Sequence, residues 1–340
     1  MANYKAVILA ALCMVAASLD AQVAVSQGPT IGEEKQYLAA VFLNRANVSV
    51  GIQNNIGVFR LMPGDTGWTN IYRRNLFTFG LGIWKGRTST RYYIAAGNGL
   101  HVSTDRGTTW RILTNWQTED VLSVALDPVD SSVIYIGTPF GVFKSIDGGK
   151  QWVRKMKGMK RWFVKRVVID FSNRRTLYAS GEDDLYKSTD GAENWVPLRT
   201  GVRQVEVVVQ DPSDSKHLLI GTEDDGVKVS LDGGMTWHRG KGLPSSAYYG
   251  MAASAKSHIM YTGGYKNGLW QSVNGGLSWT LLWDNPDIEA IYSIFVDSYD
   301  ARHLMVGTSG QGVFESFDAG TTWRYSGLRG CHVKQIVAYP

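Results

Sequence analysis

Cysteine is nearly absent from this chain of 340 residues, which has only 2, Cys13 and Cys331. A disulfide-stapled framework is excluded, so stability has to come from packing. Prolines number 9 and charged residues make up 19%, with 35 Lys and Arg against 30 Asp and Glu. A net charge of +5 is too mild to argue for nucleic acid, and none is expected as a partner. No apolar run reaches the roughly 20 residues of a membrane-spanning helix. The six histidines (His101, His217, His238, His258, His303 and His332) show no close ligand spacing. No Gly-rich phosphate loop stands between a strand and a helix. Neither a metal nor a cofactor is therefore expected.

What is abundant is glycine, 38 residues, and tryptophan, 12, in a chain that is 44% apolar. That balance excludes a disordered or collagen-like chain and points to many short strands and tight turns. The first residues read as an address. Lys5 precedes an apolar run, Ala6 to Ala17, followed by small residues at Ser18 and Ala21. This is the layout of a secretory signal peptide, expected over residues 1–21, with cleavage after Ser18 as the alternative. Leu12 is too bulky to precede a lipidated Cys13. Residues 22–36 read as a linker, and the mature protein is expected to be exported, periplasmic or extracellular, soluble and monomeric. Cleavage would leave Cys331 as a lone thiol.

Self-similarity dominates the rest. Six segments share the pattern Ser-x-Asp-x-Gly-x-x-Trp with small departures: Ser103–Trp110, Ser145–Trp152, Ser188–Trp195, Ser230–Trp237, Ser272–Trp279 and Ser316–Trp323. A decayed copy, Leu61–Trp68, comes first. The closing residues Trp68, Trp110, Trp152, Trp195, Trp237, Trp279 and Trp323 are spaced 42, 42, 43, 42, 42 and 44 apart. Eleven residues before each Trp stands a glycine, except at Asp184.

Each unit reads as four short strands; in the third they are Val121–Leu126, Val133–Gly137, Val142–Ser145 and Gln151–Lys155. Four strands per repeat of about 40–45 residues is the signature of a propeller blade. The fold expected is all-β: a single seven-bladed β-propeller of four-stranded antiparallel blades over residues 37–340. Asp105, Asp147, Asp190, Asp232 and Asp318, with Asn274 in the sixth unit, are expected to close the turns by accepting backbone N–H bonds two residues on. The pairs Asp127/Asp130, Asp211/Asp214 and Asp297/Asp300 read as turn-formers between first and second strands. Val333–Pro340 matches Val121–Pro128, an inner strand, so the C-terminal strand is expected to close the ring through the first blade. Tyr37–Asn44 also looks like an inner strand there and competes for the same position.

The Ser-x-Asp-x-Gly-x-x-Trp segments resemble the Asp-box, or bacterial neuraminidase repeat, over about residues 37–340. The resemblance implies that these residues are structural, on hairpins remote from any active centre. The superfamily includes sialidases, xyloglucan hydrolases, sortilin-type receptors and photosystem II assembly factors. A sialidase would need six blades, an arginine triad and a tyrosine nucleophile. Phe59-Arg-Leu-Met-Pro63 looks like a stretched sialidase motif, but the repeat register already explains it. Xyloglucan hydrolases place paired carboxylates between two propellers, and this chain is long enough for one. The assembly factors, single exported propellers of similar size with a basic patch, match best in architecture.

Function is sought in the loops between blades and between second and third strands, which vary while the framework repeats. Seven of the thirteen residues from Arg154 to Arg166 are basic. Arg154, Lys155, Lys157, Lys160, Arg161, Lys165 and Arg166, with Trp162 interleaved, read as a docking site for a protein or another acidic, anionic partner. A solvated charge run is the alternative. Glu182-Asp183-Asp184 and Glu223-Asp224-Asp225 suit either a divalent cation or self-complementarity with the basic run. Trp116, Trp283, Tyr248 and Tyr249 suit either glycan stacking or packing between blades. The reading is a non-catalytic binding or assembly scaffold, with a glycan-active hydrolase of sialidase or xyloglucan-hydrolase type as the alternative.

Overall fold

The computed structural model describes residues 35–44, 56–72, 76–115, 118–255 and 258–339. The signal-peptide reading, most of the linker reading, and Trp116 lie outside them. The described strands form seven antiparallel sheets of four strands, one for each repeat, arranged as a seven-bladed β-propeller. From blade 2 onward each sheet uses four strands in chain order. Blade 4, for example, runs Val164–Ile169, Leu177–Gly181, Leu185–Ser188 and Val196–Pro197 from inside to outside. The inner strands of blades 2, 3, 5, 6 and 7 are Thr78–Lys85, Ser123–Leu126, Val205–Asp211, Tyr248–Ala253 and Ile291–Val296. They are almost wholly buried, because each packs against its neighbours on both faces.

Blade 1 joins the two ends of the described chain. Its order is Cys331–Tyr339, Gln36–Asn44, Gly57–Leu61 and Thr69–Tyr72. The C-terminal strand is innermost, as expected. Tyr37–Asn44, which resembled a second inner strand, takes the second position and pairs with the C-terminal strand from Gln36↔Tyr339 to Asn44↔Cys331. Its near-total burial explains the resemblance, since the second strand of a blade is as apolar as the first. The first described strand starts at Gln36. Gln36 is already paired, and the preceding Lys35 forms an ion pair with Asp297 of blade 7.

The repeated turn works through serine and aspartate together. In blade 5, Ser230 Oγ donates to Asp232 Oδ1 at 2.8 Å and accepts from the Gly234 N–H at 2.8 Å. Asp232 Oδ1 accepts from Met235 N–H and Thr236 N–H, both at 2.9 Å. The aspartate therefore gathers N–H groups three and four residues on, not two, because the serine already holds its near side. The same bonds hold the Asp105 and Asp318 carboxyls down at about 2, chiefly through the side chains of Thr109 and Thr322. The fifth residue of the turn sits at positive φ: +94° at Gly234 and +72° at Ala192, where blade 4 has lost the glycine. Asp127, Asp211 and Asp297 likewise accept N–H bonds two residues on, from Val129, Ser213 and Tyr299, and so shape the turns after the inner strands.

The closing tryptophans do more than cover their own sheets. The indole N–H of Trp110 donates to Ile71 O of the blade before it at 3.2 Å, that of Trp152 to Leu113 O at 3.0 Å, and that of Trp195 to Lys155 O at 3.0 Å. Trp68 donates to Ser326 O of blade 7 at 3.0 Å and so carries the same clip across the closure of the ring. Trp237, Trp279 and Trp323 bond instead to Gly234, Gly276 and Gly320 of their own turns.

Candidate functional site

The connection from blade 3 to blade 4 carries the basic run, and the structure splits it in two. Arg154, Lys157, Lys160, Arg161 and Trp162 are exposed, Trp162 by 63%. The Arg154 guanidinium lies 5.0 Å from the Trp162 ring centre, a cation–aromatic pair facing solvent. Lys155 is half-buried and bonded to Glu193 at 2.6 Å. The loop is anchored from below by Met156 and Met159, which pack on the core between blades 3 and 4. Gly158, at φ +97°, passes so close to Trp195 O that a Cβ there would lie 2.0 Å from it. The apolar residues of the loop are thus its footing, and the cations and Trp162 are what it presents.

Lys165 and Arg166 are not part of that exposed face. They open the inner strand of blade 4 and are 7% and 2% exposed. Their position recurs in every blade. The inner strands of six blades carry a bulge near their start, and the extra residue is Phe79, Lys165, Glu206, Tyr249, Tyr292 or Lys334. Leu122 holds the equivalent place in blade 3, its N–H bonded to Gly137 O. A bulge re-aims the side chain it carries. Here seven such side chains, none more than 8% exposed, form a ring where the channel of the propeller meets the blade-connecting loops.

The contacts run around this ring. Phe79 packs with Leu122 and with Phe42, and Phe163 of the basic loop leans on the same cluster. Lys165 Nζ is ion-paired with Glu206 Oε1. Glu206 faces Glu223 of the loop between the second and third strands of blade 5. Burial, then the Glu206 charge, push the Glu223 carboxyl up to about 7. The Oε2 atoms of both carboxyls find no donor among the described residues, so a proton shared between the two satisfies both. Tyr249 Oη reaches Glu223 at 3.5 Å, and its ring lies 5.4 Å from that of Tyr292. Lys334 Nζ sits 3.3 Å from the centre of the Tyr292 ring and 5.4 Å from that of Phe42, which brings the circuit back to Phe79.

Of the residues singled out in the sequence, the structure places Lys165, Arg166, Tyr249 and Glu223 at this channel mouth. Trp283 stacks on Trp323 at 4.7 Å, a packing role, and Tyr248 is fully buried. The acidic loops divide. Asp184 caps Arg199 and Thr200, Asp183 accepts from Tyr186 Oη at 2.8 Å, and Asp225 pairs with Lys228. Among the described residues no cluster of three or more His, Cys, Asp or Glu could hold a metal ion. Glu206, Tyr292 and Lys334 were missed. The repeat register held the signal, since Val164-Lys165, Val205-Glu206 and Val333-Lys334 align on Val121-Leu122, and charged residues stand where an apolar one is expected.

Solved structures that share the fold are distant in sequence. The chain is similar to the GH74 xyloglucanase from Xanthomonas campestris, with a TM-score of 0.62 and 17% identity, over 73% of this chain and 45% of the enzyme. It is similar to the extracellular domain assigned to a hybrid two component system from B. thetaiotaomicron, with a TM-score of 0.61 and 15% identity, over 84% of this chain and 39% of that one. It is also similar to YCF48 bound to a D1 peptide, with a TM-score of 0.58 and 13% identity, over 77% of this chain and 92% of YCF48. The chain thus spans less than half of the first two. At these identities the likeness is one of fold. No curated protein matches the sequence. Residues 142–328, more than half of the chain, match the DUF6242 beta propeller domain, and the chain belongs to that family.

Proposed function

We propose that this chain is an exported, non-catalytic scaffold that docks a protein partner with an acidic surface on the blade-connecting face of the propeller. The observation that carries the reading is the exposed group Arg154, Lys157, Lys160, Arg161 and Trp162, held up by a buried footing. An apolar ring framed by guanidinium and ammonium groups is the composition of an interface anchor, where Trp and Arg carry most of the binding energy. YCF48, of similar extent, is seen with a bound peptide, which supports a peptide-like partner. Among the described residues no helix is long and apolar enough to cross a membrane. The N-terminal address supports export.

The test uses the tagged protein against its native envelope extract at low and high salt, beside two variants. Reversal of Lys157, Lys160 and Arg161 to glutamate is expected to abolish capture of a stoichiometric partner, and Trp162→Ala to weaken it about tenfold or more. Capture that survives both variants, or no partner at either salt, overturns the reading. The Glu206–Glu223 pair keeps a hydrolase as the second reading, because two neighbouring carboxyls, one of them raised to about 7, are what acid–base chemistry uses. Turnover of a glycan panel, lost in Glu206→Gln, would establish that instead.

A further inference from the structure

Three successive Ser-x-Asp turns are gripped from the blade before them at the same backbone oxygen. Lys144 Nζ of blade 3 donates to Gly191 O of blade 4 at 2.9 Å, and Lys187 Nζ of blade 4 donates to Gly233 O of blade 5 at 3.0 Å. Blade 5 reaches the equivalent oxygen of blade 6, Gly275 O, through His217 Nε2 at 2.7 Å. Gly191, Gly233 and Gly275 each follow the Asp or Asn of their turn, at φ +78°, +76° and +71°. The lysines come from third strands, one residue before Ser145 and Ser188, whereas His217 comes from the second strand of blade 5, Asp214–Thr222.

The His217 ring is buried and held at both ends, since its Nδ1 lies 3.0 Å from Asp211 Oδ2. Burial would raise the Asp211 carboxyl, but bonds from His217, Ser213 and His258 hold it well below the ordinary carboxylate range. An ionised carboxylate and a carbonyl only accept, and a neutral imidazole has one N–H for the two. Only the imidazolium fills both places, which makes His217 a cation where its counterparts are lysines. Burial opposes that charge; the bonds to Asp211 and Gly275 O, with the Asp211 and Asp214 charges, overcome it and raise the histidine above 6.5. The other groups facing the pair are His258 of blade 6, whose Nδ1 is 3.1 Å from Asp211 Oδ2, and Ser213, whose Oγ donates to Asp211 Oδ1 at 2.6 Å. A lysine keeps its proton to about pH 10, and an imidazolium does not.

We propose that His217 is a pH-operated latch between blades 5 and 6: protonated, it clamps the Ser272–Trp279 turn to blade 5, and on losing its proton it releases that turn, while the lysine clips at Gly191 and Gly233 stay closed. The remaining N–H stays with Asp211, the charged acceptor, and an imidazole lone pair then faces Gly275 O. The turn ends in Trp279, buried in the core between blades 5 and 6, so its release loosens that junction. Lys241 N–H to Leu277 O and Trp279 N–H to Lys241 O, both at 2.9 Å, do not titrate, so the opening is local. The latch is closed on the acid side and opens as pH rises through the folded value of His217.

Hydrogen exchange of the full protein from pH 6 to pH 9, expressed as protection relative to intrinsic rates, reads the three turns side by side. Protection of residues 272–279 is expected to fall about tenfold or more, with 188–195 and 230–237 unchanged in the same samples. Global melting would mix in His303, so the readout is kept local. Nitrogen NMR is expected to show protons on both ring nitrogens of His217 at pH 6. His217→Gln should make protection of 272–279 independent of pH, and His258→Asn should keep the dependence of the parent. Should His217→Gln fail to fold, the exchange and NMR of the parent decide. A His217 already neutral at pH 6, or a turn at 272–279 that loses no more protection than the two lysine-clipped turns, overturns the proposal. So does a pH dependence that persists in His217→Gln or vanishes in His258→Asn.

Discussion

Lys165 and Glu206 occupy the same ring position in adjacent blades and are bound to one another, with the lysine side chain 9% exposed and the glutamate 0%. The pair joins the inner strands of blades 4 and 5 at the channel mouth. A buried pair is weak evidence of stability as a whole, but breaking it from one side strands a charge. Glu206→Gln would leave Lys165 without its partner and Arg166 without its one opposing charge. It is expected to cost about 3–5 kcal/mol in chemical denaturation. Lys165→Met combined with Glu206→Leu should cost clearly less, and equal costs would mean that the pair contributes attraction beyond its desolvation.

The C-terminal strand is what closes the ring. Removing residues 331–340 takes away the inner strand of blade 1, together with Val333 and Ile336 of the core between blades 7 and 1. The backbone of Gln36–Asn44 then becomes an open edge, which invites pairing with another chain. The truncated protein is expected to elute as soluble aggregate and to lose its cooperative melt. A monomer with an unchanged melt would show that six blades and a three-stranded seventh stand without closure.

The repeat made this architecture legible before any coordinates. Trp spacing near 42 residues fixed seven units, and the match between Val333–Pro340 and Val121–Pro128 located the closing strand. What the sequence hid was direction. Tyr37–Asn44 looked like an inner strand because burial on both faces leaves one signature for first and second strands alike. Lys165 and Arg166 read as loop cations because they adjoin Lys160 and Arg161 in sequence, whereas the bulge after Val164 turns them into the channel. Glu206, Tyr292 and Lys334 come together only through seven-fold closure, from positions more than a hundred residues apart at the extremes. No local pattern announces such a group.

His303 couples blade 7 to pH. Its Nδ1 lies 3.2 Å from Asp297 and its Nε2 2.8 Å from Glu315, and its ring stacks on Phe317 at 4.6 Å. Burial disfavours the imidazolium, but the bonds to Asp297 and Glu315 outweigh it and raise the histidine above its ordinary 6.5. A raised value means that the stabilisation is fully present below pH 6.5 and is lost as pH rises through the folded value. His303→Gln is therefore expected to lower the melting temperature most at pH 6, with the gap to the parent narrowing toward pH 9. A gap that does not change with pH would show that the imidazole titrates alike in the folded and unfolded states.

Glu223 carries the opposite chemistry with the same sign. Burial comes first and the Glu206 charge second in raising its carboxyl from the ordinary 4.5 to about 7. Between those values the folded protein holds a proton that the unfolded chain releases, so stability falls as pH rises through the interval and levels off above it. Lys165 works against the shift and Asp224 with it. Glu223→Gln keeps the shape of the protonated acid and removes its titration. Its melting temperature is expected to match the parent near pH 4 and to exceed it by a margin that grows up to pH 7 and stays constant beyond. Because His303 is untouched in this variant, the difference isolates the carboxyl pair at the channel mouth. No margin at pH 8 would show that the Glu223 carboxyl is not raised in the folded protein.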